Sequence, residues 1–274
     1  MPELPEVEVT RRGLAPHLLG RTVNEVVVRT ARLRRPLDEL WKIEGLRLRA
    51  LERRAKVLIW VFEGEDGRKT WLATHMGMSG SWRIYEEPWP EASRHEHVDF
   101  VFGGVLARYR DPRRFGDMCV WQVDPRTKPP LNRLGSEPFD SALTEASFWA
   151  ALRKTRRPIK EVLLAGSAVV GCGNIYANEA LFAARIHPNR PACGLGAVEA
   201  ARLLAAVRAV LHSAIEAGGS TLRDFHGTDG TSGWFTLQTS VYDRKGQPCP
   251  ACGSPIVRTV LGQRSTFYCP KCQK

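Results

Sequence analysis

The chain opens MPELPEVE. A small second residue such as Pro2 permits removal of Met1, which would leave a secondary amine as the chain terminus. An exposed α-amine titrates at roughly 7.7 to 8, so part of it is unprotonated and nucleophilic near neutral pH. Pro2 is therefore a candidate nucleophile, and the adjacent Glu3 a candidate proton carrier. The same residues also read as an acidic helix start, because proline suits the first turn and glutamates favour the positive end of the helix dipole. On this stretch alone both readings stay open.

At the other end, CPAC places Cys249 and Cys252 sixteen residues before CPKC, with Cys269 and Cys272. Two such pairs match a four-thiolate zinc ribbon, in which sulfur ligands close a tetrahedral shell around one structural Zn2+. Between them SPIVRTVLGQRSTFY reads as strand, turn at Gly262 and strand, which puts Arg264 near the hairpin tip. There it could serve as a phosphate contact or as a solvated charge.

Three further stretches carry usable chemistry. In GCGNIYANE, Gly171 and Gly173 permit close approach, and Asn174 is expected to cap the following helix, whose start suits a phosphate. Lys160, in RRPIKEV, could add a positive charge nearby, whereas a tight turn between helices would need only the glycines. THMGMSG offers His75 and Met78, and DPRRFGD offers Arg113 and Phe115. Apolar and cationic loop tips of this kind can enter the space between stacked bases, although singly they also read as satellite core.

Periodicity predicts the helices and strands around these groups. Val7, Leu14 and Leu18 share a helical face within residues 5–19, with Gly20 placed to stop the helix. Eight stretches from TVNEVVVR to DMCVWQV alternate or run apolar between Gly, Asp and Pro, which predicts a β-sandwich or barrel. Prolines concentrate from Asp124 to Asp140, and beyond them TEASFWAALRKT, IKEVLLAG, NIYANEALFAARI and AVEAARLLAAVRAVLHSAIEAG predict helices. The expected class is an α+β multidomain protein: residues 1–124 a catalytic domain, 125–140 a linker, 141–240 a helical domain, and 241–274 a zinc hairpin.

Composition sets the partner class. A net charge of +11 over 274 residues suits a polyanion, either nucleic acid or an anionic membrane surface. No charged-then-apolar leader and no run of eighteen apolar residues is present, so a soluble cytoplasmic protein is expected. Seven cysteines suit metal better than disulfides there; Cys119, Cys172 and Cys193 belong to no metal pattern.

Taken in order, PELPEVE, RRAK around Lys56, HMGMSG, DPRRFG, VGCGNIYANE and GQRSTFYCPKC resemble the bacterial formamidopyrimidine-DNA glycosylases over the whole length. The resemblance implies an N-terminal β-sandwich with a leading helix, a domain containing a helix-two-turns-helix element, and the zinc hairpin, with double-stranded DNA between the domains and the protein acting as a monomer. It implies that Pro2 is the nucleophile, Glu3 its acid-base partner and Glu6 a supporting neighbour. Lys56, Asn174 and Arg264 would grip phosphates around the lesion, Lys56 and Arg264 counting with Pro2 and Glu3 in the catalytic set, with Lys160 as a further basic contact and His75 beside the DNA. Met78, Arg113 and Phe115 would fill the gap left by an extruded nucleotide, and Tyr242 would stand near the damaged site. Thr221 to Gly233 would close over the flipped base. Ala165, Gly166 and Asp243 depart from the residues common in relatives.

The implied activity is excision of oxidised purines such as 8-oxoguanine and formamidopyrimidines, followed by strand cleavage. Two alternatives remain at this point. An endonuclease VIII-like glycosylase would prefer oxidised pyrimidines, against which RRF at Arg113 to Phe115 and the PELPE start both argue. A noncatalytic zinc-containing DNA-binding protein would leave Pro2 and Glu3 without purpose.

Overall fold

The computed structural model describes residues 2–218 and 239–274. The fate of Met1 and the expected closing loop from Thr221 to Gly233 lie outside the described residues. Residues 2–132 form one compact unit, and residues 133–216 with 239–274 belong to a second.

The first unit starts with α1 (Leu4–Leu18), which ends beside the expected stop at Gly20. Eight antiparallel strands follow: β1 (Glu25–Val28), β2 (Arg47–Arg54), β3 (Val57–Glu63), β4 (Lys69–His75), β5 (Ser81–Glu86), β6 (Glu96–Val101), β7 (Val105–Arg110) and β8 (Asp117–Trp121). They make two four-stranded sheets, ordered β1-β6-β7-β5 and β2-β3-β4-β8. Apolar residues from both sheets meet in a single core in which Trp60, Trp82, Phe100 and Tyr109 lie ring against ring, with centroids 5.0 to 5.7 Å apart. Val7, Leu14 and Leu18 insert the apolar face of α1 into that core, fixing where the N-terminal residues lie.

The second unit holds α2 (Glu145–Leu152), α3 (Ile159–Ala165), α4 (Asn174–Ala183) and α5 (Ala197–Glu216), then the hairpin β9 (Val257–Leu261) and β10 (Arg264–Tyr268). Along α5 the buried positions Ala200, Leu203, Leu204, Val207, Leu211 and Ala214 recur at helical spacing, and α2 and α4 both pack against this helix. Gly166 closes α3 at φ 65°, the left-handed conformation that glycine adopts most easily. Short 3₁₀ turns at 40–43, 125–127, 131–133 and 192–194 were not legible from periodicity. Among the described residues no helix is long and apolar enough to cross a membrane.

Candidate active site and nucleic-acid interface

Pro2 is buried and leads directly into α1. Glu3 occupies the N-cap, and its backbone N–H donates to Glu6 Oε2 at 2.7 Å within a reciprocal capping box. Both carboxylates are withdrawn from solvent, with Glu3 2% and Glu6 0% exposed. The acidic helix start and the candidate catalytic pair are thus the same structure: the capping interaction holds Glu3 next to Pro2.

One turn along, Glu8 connects this helix to the sheet. Its Oε2 accepts from Arg53 Nε at 3.1 Å, and Arg53 in turn donates to the carbonyl of Ala55 at 3.0 Å. Burial alone would raise the Glu8 pKa, but hydrogen bonds and charge from Arg11 and Arg53 outweigh it and hold the carboxyl below its usual range. The β2–β3 turn carrying half-buried Lys56 is therefore fastened to the helix carrying Pro2. Ala55 takes φ 53° in that turn, a left-handed conformation that costs a residue with a Cβ about 1 kcal/mol.

Val57 pairs with His75 across β3 and β4, which brings Lys56 and His75 into one neighbourhood. Burial, then the charges of Lys56 and Arg34, lower the His75 pKa to about 4, so its ring is neutral at physiological pH. His75 Nδ1 accepts from the Gly77 N–H at 3.0 Å, which leaves the proton on Nε2.

The two loops bearing Met78 and Phe115 form one body. Asp111 is fully buried; it accepts from Ser79 Oγ at 2.6 Å with one oxygen and from the Gly116 N–H at 2.7 Å with the other. Ser79 Oγ also accepts from the Arg113 N–H at 3.1 Å. Met78, Phe115, His75 and Arg34 line a cleft of about 520 Å³. Phe115 is 48% exposed, and the Arg113 guanidinium lies 4.9 Å from its ring centre. An apolar, cationic tip on a rigid base results.

In the second unit Ser265 is the meeting point. Its carbonyl accepts from Asn174 Nδ2 at 2.9 Å and from Lys160 Nζ at 2.8 Å, while Lys160 also donates to Thr266 Oγ1 at 2.7 Å. Asn174 does not cap α4 as expected: Gly173 occupies that position, and the asparagine side chain reaches the hairpin instead. Lys160 likewise differs from the solvent-facing phosphate contact that the sequence suggests. It is 0% exposed and fastens α3 to β10. The shared anchor sets Asn174 beside Arg264, which is exposed next to a turn formed by Gly262 and Gln263 at φ 55° and 61°. Positive φ at both central residues is the hairpin geometry that glycine favours.

Two residues that sequence reasoning missed complete this region. Asn178, one helical turn beyond Asn174, accepts from the Phe267 N–H at 2.9 Å. Glu179 accepts from the N–H groups of Ser240, Val241 and Tyr242 at 2.8 to 3.0 Å, fixing the strip on which half-buried Tyr242 stands against Phe267. The NIYANE spacing that puts Asn174 and Asn178 on one helix face was the available signal. Asp243 follows at φ 58°, a left-handed conformation that glycine adopts without a Cβ penalty.

The four cysteine sulfurs all lie within 4.8 Å of one another, with Cys252–Cys269 at 3.5 Å and Cys249–Cys272 at 3.9 Å. A tetrahedral ion with Zn–S bonds of about 2.3 Å requires sulfurs about 3.8 Å apart. The Cys272 N–H points to Cys269 Sγ at 3.4 Å, a bond that favours the thiolate. The residues fit one zinc ion, and such a closed sulfur shell holds shape without offering a reactive position.

The family model of the formamidopyrimidine-DNA glycosylase N-terminal domain matches residues 1–118, that of its H2TH domain residues 134–226, and that of a zinc finger found in FPG and IleRS residues 246–274. The chain belongs to the formamidopyrimidine-DNA glycosylase family. It is 48% identical to the formamidopyrimidine-DNA glycosylase of Laribacter hongkongensis, with all of both chains covered. It also matches the crystal structure of the MutM (Fpg) protein of Thermus thermophilus at 43% identity and TM-score 0.87, covering 99% of this chain and 98% of that one. A structure of MutM in complex with carbocyclic 8-oxo-G containing DNA matches at 32% identity and TM-score 0.89 over the whole of both chains. The family places the chain among base-excision glycosylases with AP lyase activity, and the β-sandwich, H2TH and four-cysteine architecture is that of the family.

Proposed function

We propose that this glycosylase excises oxidised purines, 8-oxoguanine and formamidopyrimidines, from double-stranded DNA through a Schiff base at Pro2, then cleaves the strand by successive β- and δ-elimination. The observation that carries this reading is the placement of Pro2 at the head of α1 beside the buried, mutually bonded Glu3 and Glu6. With Met1 removed, the proline nitrogen attacks C1′ of the deoxyribose. The glycosidic bond breaks and the base leaves with the bonding pair. Glu3 takes the proton that the attacking amine gives up and delivers it to O4′ as the ring opens, so that the freed nitrogen lone pair forms a C1′ iminium.

A secondary amine gives an iminium that cannot shed its charge by losing an N–H proton, so the cation remains an electron sink. Loss of a C2′ proton expels the 3′ phosphate; loss of a C4′ proton then expels the 5′ phosphate, leaving a one-nucleotide gap. Extruding the nucleotide costs a few kcal/mol of stacking and pairing, which Met78, Arg113 and Phe115 offset by occupying its place. Lys56 in the first unit, and Asn174 and Arg264 in the second, contact phosphates, while His75 lies beside the DNA and Tyr242 stands near the damaged nucleotide. Zinc, when bound, holds the hairpin that presents Arg264. The protein works in the cytoplasm on nucleoid DNA.

Borohydride reduction during turnover of 8-oxoguanine or abasic-site duplex, followed by peptide mass spectrometry, tests the reading. A deoxyribose remnant on Pro2 is the expected product. An adduct on a lysine reassigns the nucleophile, and excision with no reducible crosslink removes the Schiff-base route.

A further inference from the structure

Between β1 and β2 lies the segment ARLRRPL, residues 31–37. Three backbone contacts close it into a loop: the Leu33 N–H donates to the Arg35 carbonyl at 3.0 Å, the Leu37 N–H donates to the Ala31 carbonyl at 3.1 Å, and Arg32 pairs with Pro36. Leu33 and Leu37 are buried in the core of the sandwich, whereas Arg32, Arg34 and Arg35 are exposed. Apolar anchors at 33 and 37 thus fix the loop and hold its arginines at the surface.

One further bond ties this loop to the tip that carries Phe115. The Arg34 N–H donates at 3.0 Å to the carbonyl of Gly116, the residue after Phe115. Arg32 and Arg34 line the cleft of about 520 Å³ together with Met78 and Phe115, and Arg114 adds a third guanidinium. Among the described residues no carboxylate lines that cleft. Arg35 pairs with Asp117 at 3.4 Å, but Arg32 and Arg34 form no ion pair among the described residues. The charge of Arg34 reaches His75, where it helps keep the imidazole neutral. Gathering like charges in a concave surface is unfavourable in the free protein and focuses a positive potential that a polyanion relieves.

We infer that Arg32 and Arg34 form a lesion-independent phosphate grip on duplex DNA, which holds Met78 and Phe115 against the helix before a nucleotide is extruded. The inference rests on the reading of Met78 and Phe115 as the residues that enter the base stack. Guanidinium contacts to phosphates position a protein without reading bases. The anchors of the loop are Leu33, Leu37 and the bond to Gly116, none of which waits for an emptied gap, so the grip is equally available on intact DNA. Lys56, Asn174 and Arg264, by contrast, act around the lesion.

Anisotropy titrations of the full zinc-loaded protein across a range of salt test the grip, with one undamaged duplex and one carrying a reduced abasic-site analogue. For Arg34→Gln the slope of log affinity against log salt should shrink by about 1, and for the Arg32→Gln, Arg34→Gln double variant by about 2, on both duplexes. The fold-loss in affinity should agree between the duplexes within about twofold. Arg34→Lys, which keeps the charge, should restore the slope. Arg68→Gln removes an equally positive, exposed side chain from the turn at the far end of β3 and β4 and should leave the slope unchanged. An unaltered slope in the double variant, a loss confined to the abasic duplex, or an equal effect of Arg68→Gln overturns the inference. Wild-type protein that binds DNA yet fails to excise would sink the Schiff-base reading, and the same slopes would still decide this one.

Discussion

Gly77 lies against the backbone of Phe115 so closely that a Cβ there would stand 2.4 Å from the Phe115 carbonyl carbon. The contact couples the loop of Met78 to the loop of Phe115 with no side chain between them. Gly77 also sits at φ 66°, so Gly77→Ala adds left-handed strain to the clash. We expect a loss of about 2 to 4 kcal/mol in stability, measured by chemical denaturation. Excision from duplex DNA should fall more than excision from single-stranded DNA, where no gap needs filling.

Arg264 stands exposed at the hairpin tip, clear of the cysteine shell. For Arg264→Ala we expect weaker DNA binding and slower excision with zinc content unchanged. The slope of log affinity against log salt should shrink by about 1, the signature of one lost phosphate contact. Unchanged affinity and turnover would remove Arg264 from the phosphate contacts.

Glu179 gathers three backbone N–H groups on one carboxylate. In Glu179→Gln one oxygen becomes an amide that cannot accept, leaving at least one of those donors unpaired at a cost of about 1 to 3 kcal/mol. Faster hydrogen exchange at residues 240–242 should accompany lower excision, through displacement of Tyr242.

His75 predicts a pH dependence with a definite sign. Its ring titrates near 4 in the folded chain and near 6.5 when unfolded, so between those values the unfolded state holds the extra proton. Stability contributed at this position is complete above pH 6.5 and is lost as pH falls toward 4, by up to about 3 kcal/mol. Denaturation of wild type and His75→Gln across pH 4 to 7 should show a steeper rise with pH for the wild type.

Titration of the thiols with a mercurial should release one zinc per chain. Because ligation contributes to folding of small metal modules, removing the metal should lower the melting temperature and abolish the Arg264-dependent part of DNA binding. Retention of both would separate the hairpin's order from the metal.

Much of this was legible in the sequence because it depends on local patterns. Alternation from residue 22 to 123 marked all eight strands of the sandwich within a residue or two at most ends, and apolar spacing marked α1 to α5. The cysteine pairs carried their own spacing. What could not be read were pairings across long stretches of chain. Lys160 in IKEV looks like a surface cation, and only the arrival of Ser265, 105 residues later, makes it a buried strut. Asn174 has the composition of a cap, yet a glycine took that role and freed the amide for the hairpin. Asp111 at the start of DPRRFG carries no sequence signal of its role; its grip on Ser79, 32 residues earlier, appears only when β7 closes the sheet.

The buried ammonium of Lys160 has a consequence for how the metal module comes apart. Peeling β10 away would remove two acceptors at once from the buried Lys160 side chain, so opening the strand as far as Ser265 and Thr266 costs more than fraying its tip. The amides of β10 should therefore exchange together with those of α3 rather than fray strand by strand.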